Sequence, residues 1–310
     1  MEELRFDGRT AIVTGAGGNP GLGRAYAHLL AARGANVVVN DIGHVPEVAG
    51  YAEDALATAV VEEIRARGGT AVADTHSVAT VEGANALIQT AIDAFGGVDI
   101  LVNNAGICII APFDVMIPLD YERHMDVNVL GPTWTCRAAW PHMRQKGYGR
   151  IVNIASGGFT GVAWMAAYGT SKGGVFALTR ALAAEGAPFG IKANTVNPSA
   201  FTRMLLSQQE KTSIDYKRHE DNNPAELVAP LVGYLAHESC AVNGECLHAG
   251  GGLVNRNYIA ETKGFRDREL TIEKIAARWD EVMNPAGSRI IESGERDATQ
   301  WNVKPYRPVL

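Results

Sequence analysis

No CxxC pair, no His/Cys cluster and no block of like charge occurs in this sequence of 310 residues. Its four cysteines, Cys108, Cys136, Cys240 and Cys246, are scattered, which argues against a zinc site or a disulfide framework and makes reduced thiols the expectation. No metal is expected. Basic charge is not in excess: the formal net charge is −6, so nucleic acid is not an expected partner. No stretch approaches the roughly 20 apolar residues needed to span a bilayer, so no membrane partner is expected either. Met1 to Phe6 carries three charged residues and no apolar run, and the closing "RPVL" is not an organelle address. The expectation is a soluble, cytoplasmic chain.

What is present is ordinary for a globular protein, with 46% hydrophobic and 20% charged residues and length for one large domain or two small ones. Short apolar runs alternate with helical periodicity: "TAIVTG", "NVVVND", "TAVAD", "VDILVNNAG", "RIVNIAS", "KANTVNP" and "GECLHAGG" read as strands. Helices are expected between them, including a long one from about residue 121 to 146, one over 170–186 and one near 224–236. Strands that are apolar throughout, each followed by a helix, predict a doubly wound parallel α/β sheet covered on both faces. That pattern holds over residues 1–253. Residues 254–310 read as an appendage, helical over "LTIEKIAARWDEVMN" with Thr271 as cap and extended beyond, packed on the core or on a partner subunit.

The first strand runs into "TGAGGNPGLG", which carries Gly15, Gly21 and Gly23, and helical periodicity follows in "GLGRAYAHLLAARG". Glycines let backbone N–H groups approach phosphates, and a helix N-terminus adds partial positive charge. A plain glycine-rich turn would look similar. Asp41, however, ends the second strand, where a carboxylate can accept the ribose hydroxyls of NAD and repel the 2′-phosphate of NADP. A helix-capping aspartate is the plainer reading of that residue.

"AAYGTSKGG" sets Tyr168 and Lys172 at i and i+4 on one helix face. A tyrosine titrating near 10 is a poor base at neutrality, and a neighbouring ammonium favours its phenolate. Ser156 lies at the end of a strand shortly before Tyr168, "NNAG" (103–106) closes another, and Asn128 is a polar residue amid the apolar "MDVNVLG". Asn128 also suits a satisfied core amide.

Together these features resemble the short-chain dehydrogenase/reductase family over residues 5 to about 253. Several stretches, "LRFDGR", "VVVNDIG" and "VAPLVGYLAHESC" among them, are similar to its (3R)-hydroxyacyl-CoA dehydrogenase branch found in multifunctional enzymes type 2. The resemblance implies a Rossmann-like fold, NAD as cofactor and a homodimer or homotetramer. It implies Tyr168 as acid/base, Lys172 as the group that lowers its pKa and holds the nicotinamide ribose, Ser156 as the group polarising the substrate oxygen, and Asn128 as support for a proton-relaying water. Cofactor contacts would come from Gly15, Gly21, Leu22, Gly23, Asp41, Ser77, Val78, Asn104, Ala105, Gly106, Tyr168, Lys172 and Thr202. The chain departs from the family pattern in the two extra residues Asn19-Pro20, in Pro198-Ser199 for Pro-Gly, and in His76, where the branch carries an adenine-contacting aspartate.

A small-molecule substrate with an apolar body is expected. Ile107, Cys108, Ile109 and Ile110, together with Phe159, Val162, Trp164 and Met165, would wall its pocket, though they also suit core or subunit contacts. The segment 207–223 has three Lys/Arg against four Asp/Glu and offers no basic mouth for coenzyme A. A hydroxyacyl thioester, a hydroxysteroid and an aromatic alcohol all stay open. An enoyl-thioester reductase and a catalytically silent NAD-binding regulator are the other readings. Trp134, Trp140, Val175, Phe176 and Leu178 exceed what one buried helix face needs, which suggests subunit contacts along 121–146 and 170–186.

Overall fold

In the computed structural model, which describes residues 2–43, 55–206, 217 and 220–295, the apolar runs become strands of one sheet. These are β1 (Thr10–Thr14), β2 (Asn36–Asn40), β3 (Thr70–Asp74), β4 (Ile100–Asn103), β5 (Gly149–Ile154), β6 (Ile191–Pro198), β7 (Cys246–Gly250) and β8 (Leu253–Asn257). Their order is β3-β2-β1-β4-β5-β6-β7-β8, parallel except for β8, which pairs antiparallel with β7. The order reverses between β1 and β4, and that switch point opens a crevice at the strand C-termini.

Helices α1 (Leu22–Ala32), α2 (Ala55–Ala66), α3 (Val81–Phe95), α4 (Pro118–His124), α5 (Gly131–Lys146), α6 (Ala166–Gly186), α7 (Arg203–Leu206) and α8 (Ala229–Ala236) alternate with the strands. Because strand side chains point to opposite faces in turn, the central strands β1, β2 and β4 feed two cores. Val13, Val37, Val39 and Val102 pack with Tyr26, Leu30, Val60, Ile64, Val232 and Leu235. Ile12, Val38 and Leu101 pack on the other face with Leu87, Ile88, Met143 and Ile191. Double burial is why these strands are apolar at every position rather than at alternate ones.

The long helix expected over 121–146 differs in two ways. It begins at Pro118, a residue suited to a first helical turn, and between α4 and α5 it widens into a π-helical segment over Met125–Leu130. Asn128 sits in that segment and is fully buried. The helix expected near 224–236 splits into a 3-10 turn over Ala225–Leu227 and then α8.

A buried file of polar side chains ties the second core together. Thr135 Oγ1 donates to Asn103 Oδ1 at 2.7 Å, Asn103 Nδ2 to Asn153 Oδ1 at 2.8 Å, and Asn153 Nδ2 to Thr179 Oγ1 at 2.9 Å. It links α5, β4, β5 and α6, elements that contain candidate site residues or adjoin the segments that do.

Beyond β8 the chain forms a small sheet of β9 (Ala260–Glu261) and β10 (Arg289–Ile290), with α9 (Ile272–Ala277) and α10 (Trp279–Met283) between them. Thr271 caps α9, its hydroxyl accepting from Lys274 N at 3.2 Å. Ile272, Trp279 and Met283 lie exposed in the protomer, at 81%, 51% and 60%. Val175 is instead fully buried within α6, and Phe176 is partly covered by a stacked Phe159 ring at 5.6 Å, so these two do not form a bare helix face. Most of segment 207–223 and the closing stretch from 296 lie outside the described residues. No helix among the described residues is long and apolar enough to cross a membrane.

Candidate active site

The glycine loop closes on β4. Gly15 adopts a left-handed φ of 62°, and a Cβ there would lie 2.7 Å from Ala105 Cα. A Cβ on Gly23 would meet Asn104 Nδ2 at 2.5 Å and Gly15 O at 2.6 Å. Both positions therefore need glycine, one for conformation and contact, the other for contact alone. Asn104 Nδ2 donates to the carbonyls of Thr14 and Gly15 at 2.9 Å each, and Thr14 Oγ1 accepts from Asn104 N and Ala105 N at 3.0 Å. Helix α1 starts at Leu22 behind Gly21, with no side-chain cap and no acid in its first turn. Its orphan N–H groups and dipole are left for an anion, so the loop fits a pyrophosphate. The extra residues Asn19-Pro20 reach toward α7, where Pro20 O accepts from Arg203 N at 3.0 Å.

Asp41 stands beyond β2 under the same loop, its Oδ2 accepting from Gly17 N at 2.8 Å and its Oδ1 from Gly43 N at 3.0 Å. Asp74, at the end of β3, is turned inward. Its Oδ1 accepts from Asn40 Nδ2 at 2.7 Å and His76 N at 3.0 Å, while Oδ2 accepts from Thr90 Oγ1 at 2.7 Å and contacts His76 Nδ1 at 2.9 Å. Every lone pair there is occupied within the protein, so Asp74 does not replace the branch's aspartate, and the exposed partner of the pair is His76. Ser77 and Val78 follow directly, Val78 buried against Gly131 of α5.

Asn128 fastens the segment after "NNAG". Its Oδ1 accepts from Ile107 N and its Nδ2 donates to Ile107 O, both at 2.9 Å, and Nδ2 donates also to Ser171 Oγ at 3.0 Å. Both amide hydrogens are thus used inside the protein, which leaves Oδ1 and the main chain as the only means of holding a water. A Cβ on Gly106 would lie 3.1 Å from Asn128 Oδ1 and 3.4 Å from Lys172 Nζ, so this glycine lies between the two.

Ser156 follows β5 and caps a 3-10 turn over Gly157–Thr160, its hydroxyl accepting from Gly158 N at 3.2 Å. The same hydroxyl is near enough to the Tyr168 phenol to hold its pKa down. Lys172 Nζ lies 5.7 Å from the Tyr168 ring centre and donates to Ile154 O at 2.8 Å. Ser156, Tyr168 and Lys172, from two elements, are thereby brought together. Burial pushes the Tyr168 phenol up to about 12 and pulls the Lys172 ammonium down to about 8. For the phenol, desolvation outweighs the Ser156 hydroxyl, and the Cys108 thiol adds to the upward shift.

Thr202 is held between two fixed neighbours, as Phe201 N donates to Asn223 O at 2.6 Å and Arg203 N to Pro20 O. It therefore lies beside the glycine loop. The segment 107–111 and the Ser–Tyr loop meet directly, through Ala111 N donating to Trp164 O at 3.0 Å. Trp164 has a left-handed φ of 67°, a strained conformation for a bulky residue. Two residues with roles in this geometry had no sequence signal: Trp164 for its backbone, and His124, fully buried, whose ring stands edge-on to Tyr168 at 6.3 Å. A lone histidine in a helix carries no periodicity that would single it out.

The family model for short chain dehydrogenases matches residues 9–213. A short-chain type dehydrogenase/reductase of Mycobacterium tuberculosis is 42% identical over 284 residues, covering 91% of this chain and 96% of that protein. Full-length peroxisomal multifunctional enzyme type 2 from Drosophila melanogaster superposes with a TM-score of 0.75 at 33% identity, over 92% of this chain but only 47% of its own. A gluconate 5-dehydrogenase from Burkholderia cenocepacia, in complex with NADP and tartrate, superposes with a TM-score of 0.68 at 32% identity, over 80% of this chain and 96% of its own. This chain thus spans about half the length of the multifunctional enzyme and nearly all of the other two.

The depressed Lys172 has a consequence for stability. Below about pH 8 the folded chain carries the buried charge and bears its full desolvation cost. Between about 8 and the ordinary 10.5, the folded chain releases this proton while the unfolded chain keeps it, so stability from this residue rises with pH. The melting temperature of the wild type minus that of Lys172→Met is expected to climb from about pH 8 to about pH 10. A flat or falling difference overturns burial as the cause.

Proposed function

The chain belongs to the short-chain dehydrogenase/reductase family, a family of oxidoreductases of alcohol and ketone groups that use NAD(P), and from that premise we propose that it interconverts an apolar secondary alcohol and its ketone with NAD. A hydroxyacyl thioester, a hydroxysteroid and an aromatic alcohol are the substrate classes that suit the apolar wall. The observation that carries the reading is the grouping of half-buried Ser156, just beyond β5, with buried Tyr168 and Lys172 of α6.

NAD, when bound, supplies the hydride acceptor, and its reduced form the donor. Gly15, Gly21, Gly23 and Leu22 would hold the pyrophosphate, Asp41 the adenosine ribose, and Ser77, Val78, Asn104, Ala105 and Gly106 the adenosine side by close main-chain approach. Thr202 would anchor the carboxamide and Lys172 the nicotinamide ribose. Ser156 orients the substrate oxygen toward the phenol. A phenol pushed up to about 12 keeps its proton at neutral pH and can deliver it to an alkoxide forming on a reduced ketone. In the oxidation direction Tyr168 must first lose that proton, and Lys172, neutral above about pH 8, is the adjacent group able to accept it.

Assembly as a homodimer or homotetramer is part of this proposal. Residues 1–253 would form the catalytic unit, and 254–310 an extension whose exposed Ile272, Trp279 and Met283 find cover on a partner subunit. A reducing compartment, the cytoplasm, suits the buried thiols of Cys136, Cys240 and Cys246.

Tyr168→Phe should leave NAD binding within about twofold of wild type while lowering turnover by about two to four orders of magnitude. Retained turnover on a confirmed ketone sinks the acid/base assignment. For the cofactor, the Asp41 carboxylate should make NAD bind more tightly than NADP, because a 2′-phosphate beside it meets a like charge. Calorimetric titration with both cofactors decides the point, and tighter NADP binding reverses it. Light scattering at micromolar concentration should give a mass of at least twice 33.0 kDa, and a stable species of 33.0 kDa removes the oligomer.

A further inference from the structure

The wall of the candidate pocket is fastened at alternate residues. Ile107 is gripped at both its N–H and its carbonyl by Asn128, Ile109 N donates to His124 Nε2 at 3.0 Å, and Ala111 N donates to Trp164 O at 3.0 Å. Asn128 and Trp164 lie on the two segments that flank the catalytic group. His124 belongs to neither set of expected residues, yet it holds the centre of the wall.

Its geometry allows one protonation state. His124 Nδ1 lies 2.6 Å from Asp120 O, and a carbonyl can only accept, so the ring proton is on Nδ1. Nε2 is then bare and accepts the Ile109 N–H. Both ring nitrogens are satisfied, as a fully buried imidazole requires. The same ring presents itself to Tyr168 at 74° and 6.3 Å, an edge-to-face arrangement. One side chain therefore touches both the wall that would receive the substrate's body and the ring that would exchange its proton.

We propose that His124 is a positioning residue: through Nε2 it sets the Ile107–Ala111 wall, and through its ring it sets the Tyr168 phenol, fixing the distance between substrate and proton donor. This rests on the reading of Tyr168 as acid/base and of the wall as substrate-binding. The two contacts predict separable effects. Loss of the Nε2 acceptor loosens the wall and acts on substrate KM, because the Ile109 amide is left without its buried partner. Loss of the ring edge frees the phenol and acts on kcat, since small misplacement of a reacting group is costly.

The experiment compares wild type, His124→Leu and His124→Gln with NADH and a ketone that the wild type reduces. Gln keeps an oxygen able to accept from Ile109 N–H but has no ring; Leu has neither. His124→Gln should keep KM within about threefold and lower kcat about three- to tenfold, whereas His124→Leu should raise KM about tenfold as well, with NADH affinity within about twofold in both. Nitrogen-15 spectra of the wild type, with His124 assigned by its loss in His124→Gln, should show Nδ1 protonated and Nε2 bare. A proton on Nε2, or a folded His124→Leu with unchanged KM and kcat, overturns the proposal. Should His124→Leu not fold, a tenfold rise of KM in His124→Gln overturns it equally, and retained KM with reduced kcat upholds it. A wild type that reduces no ketone sinks the functional reading and this inference with it, while wild-type turnover with indifferent variants sinks this inference alone.

Discussion

A chain of hydrogen bonds through an apolar layer, Thr135 to Asn103 to Asn153 to Thr179, is the constraint on which the candidate site depends. Each link contributes only about 0.5–1.5 kcal/mol net, but leaving any of these buried amides without a partner costs about 1–3 kcal/mol. The penalty for mispairing, more than the gain from pairing, specifies how α5, β4, β5 and α6 sit against one another. Those elements contain or adjoin Asn104, Asn128, Ser156, Tyr168 and Lys172. A slip in any of them would leave a polar group orphaned in the core and separate the phenol from its serine.

With that frame in place, the candidate site is built by withdrawing water from two groups that prefer it. Tyr168 and Lys172 are driven in opposite directions by the same burial, toward a neutral phenol and a neutral amine. The protein bears the desolvation cost in its own stability, since a group held where its charged form is disfavoured stabilises nothing below pH 8. What the arrangement gains is a phenol that keeps its proton through neutral pH and, one helical turn away, an amine that becomes a neutral proton acceptor above about pH 8. Stability and chemistry are opposed here, as is common where residues are kept in conditions their own solvation resists.

Local geometry serves the same end. The π-helical segment at Met125–Leu130 breaks the regular hydrogen-bond ladder of a long helix at the residue that must reach both Ile107 and Ser171. A regular helix turns its side chains 100° apart, and an inserted residue re-aims those that follow. The left-handed Trp164 does comparable work on the other side of the pocket, where its carbonyl meets Ala111. These irregularities, the π segment and the left-handed Trp164, both fasten the segment 107–111.

Much was legible in the sequence because it is local. Continuous apolar runs separated by helical periods determine a doubly buried parallel sheet, whatever the rest of the chain does. Tyr168 and Lys172 share a helix face because four residues make one turn, and the glycines of the first loop stand where a backbone must come close. Other features depend on residues far apart in the chain. Asn104 meets Gly15 across 89 positions, Arg203 meets the inserted Pro20, and Asp74 exhausts its lone pairs on Asn40, His76 and Thr90. The direction of the Tyr168 shift belongs with these, because spacing places an ammonium near a phenol but cannot say how much water either retains. His124 was invisible for the same reason, since only the packed fold brings Ile109 and Tyr168 to one ring.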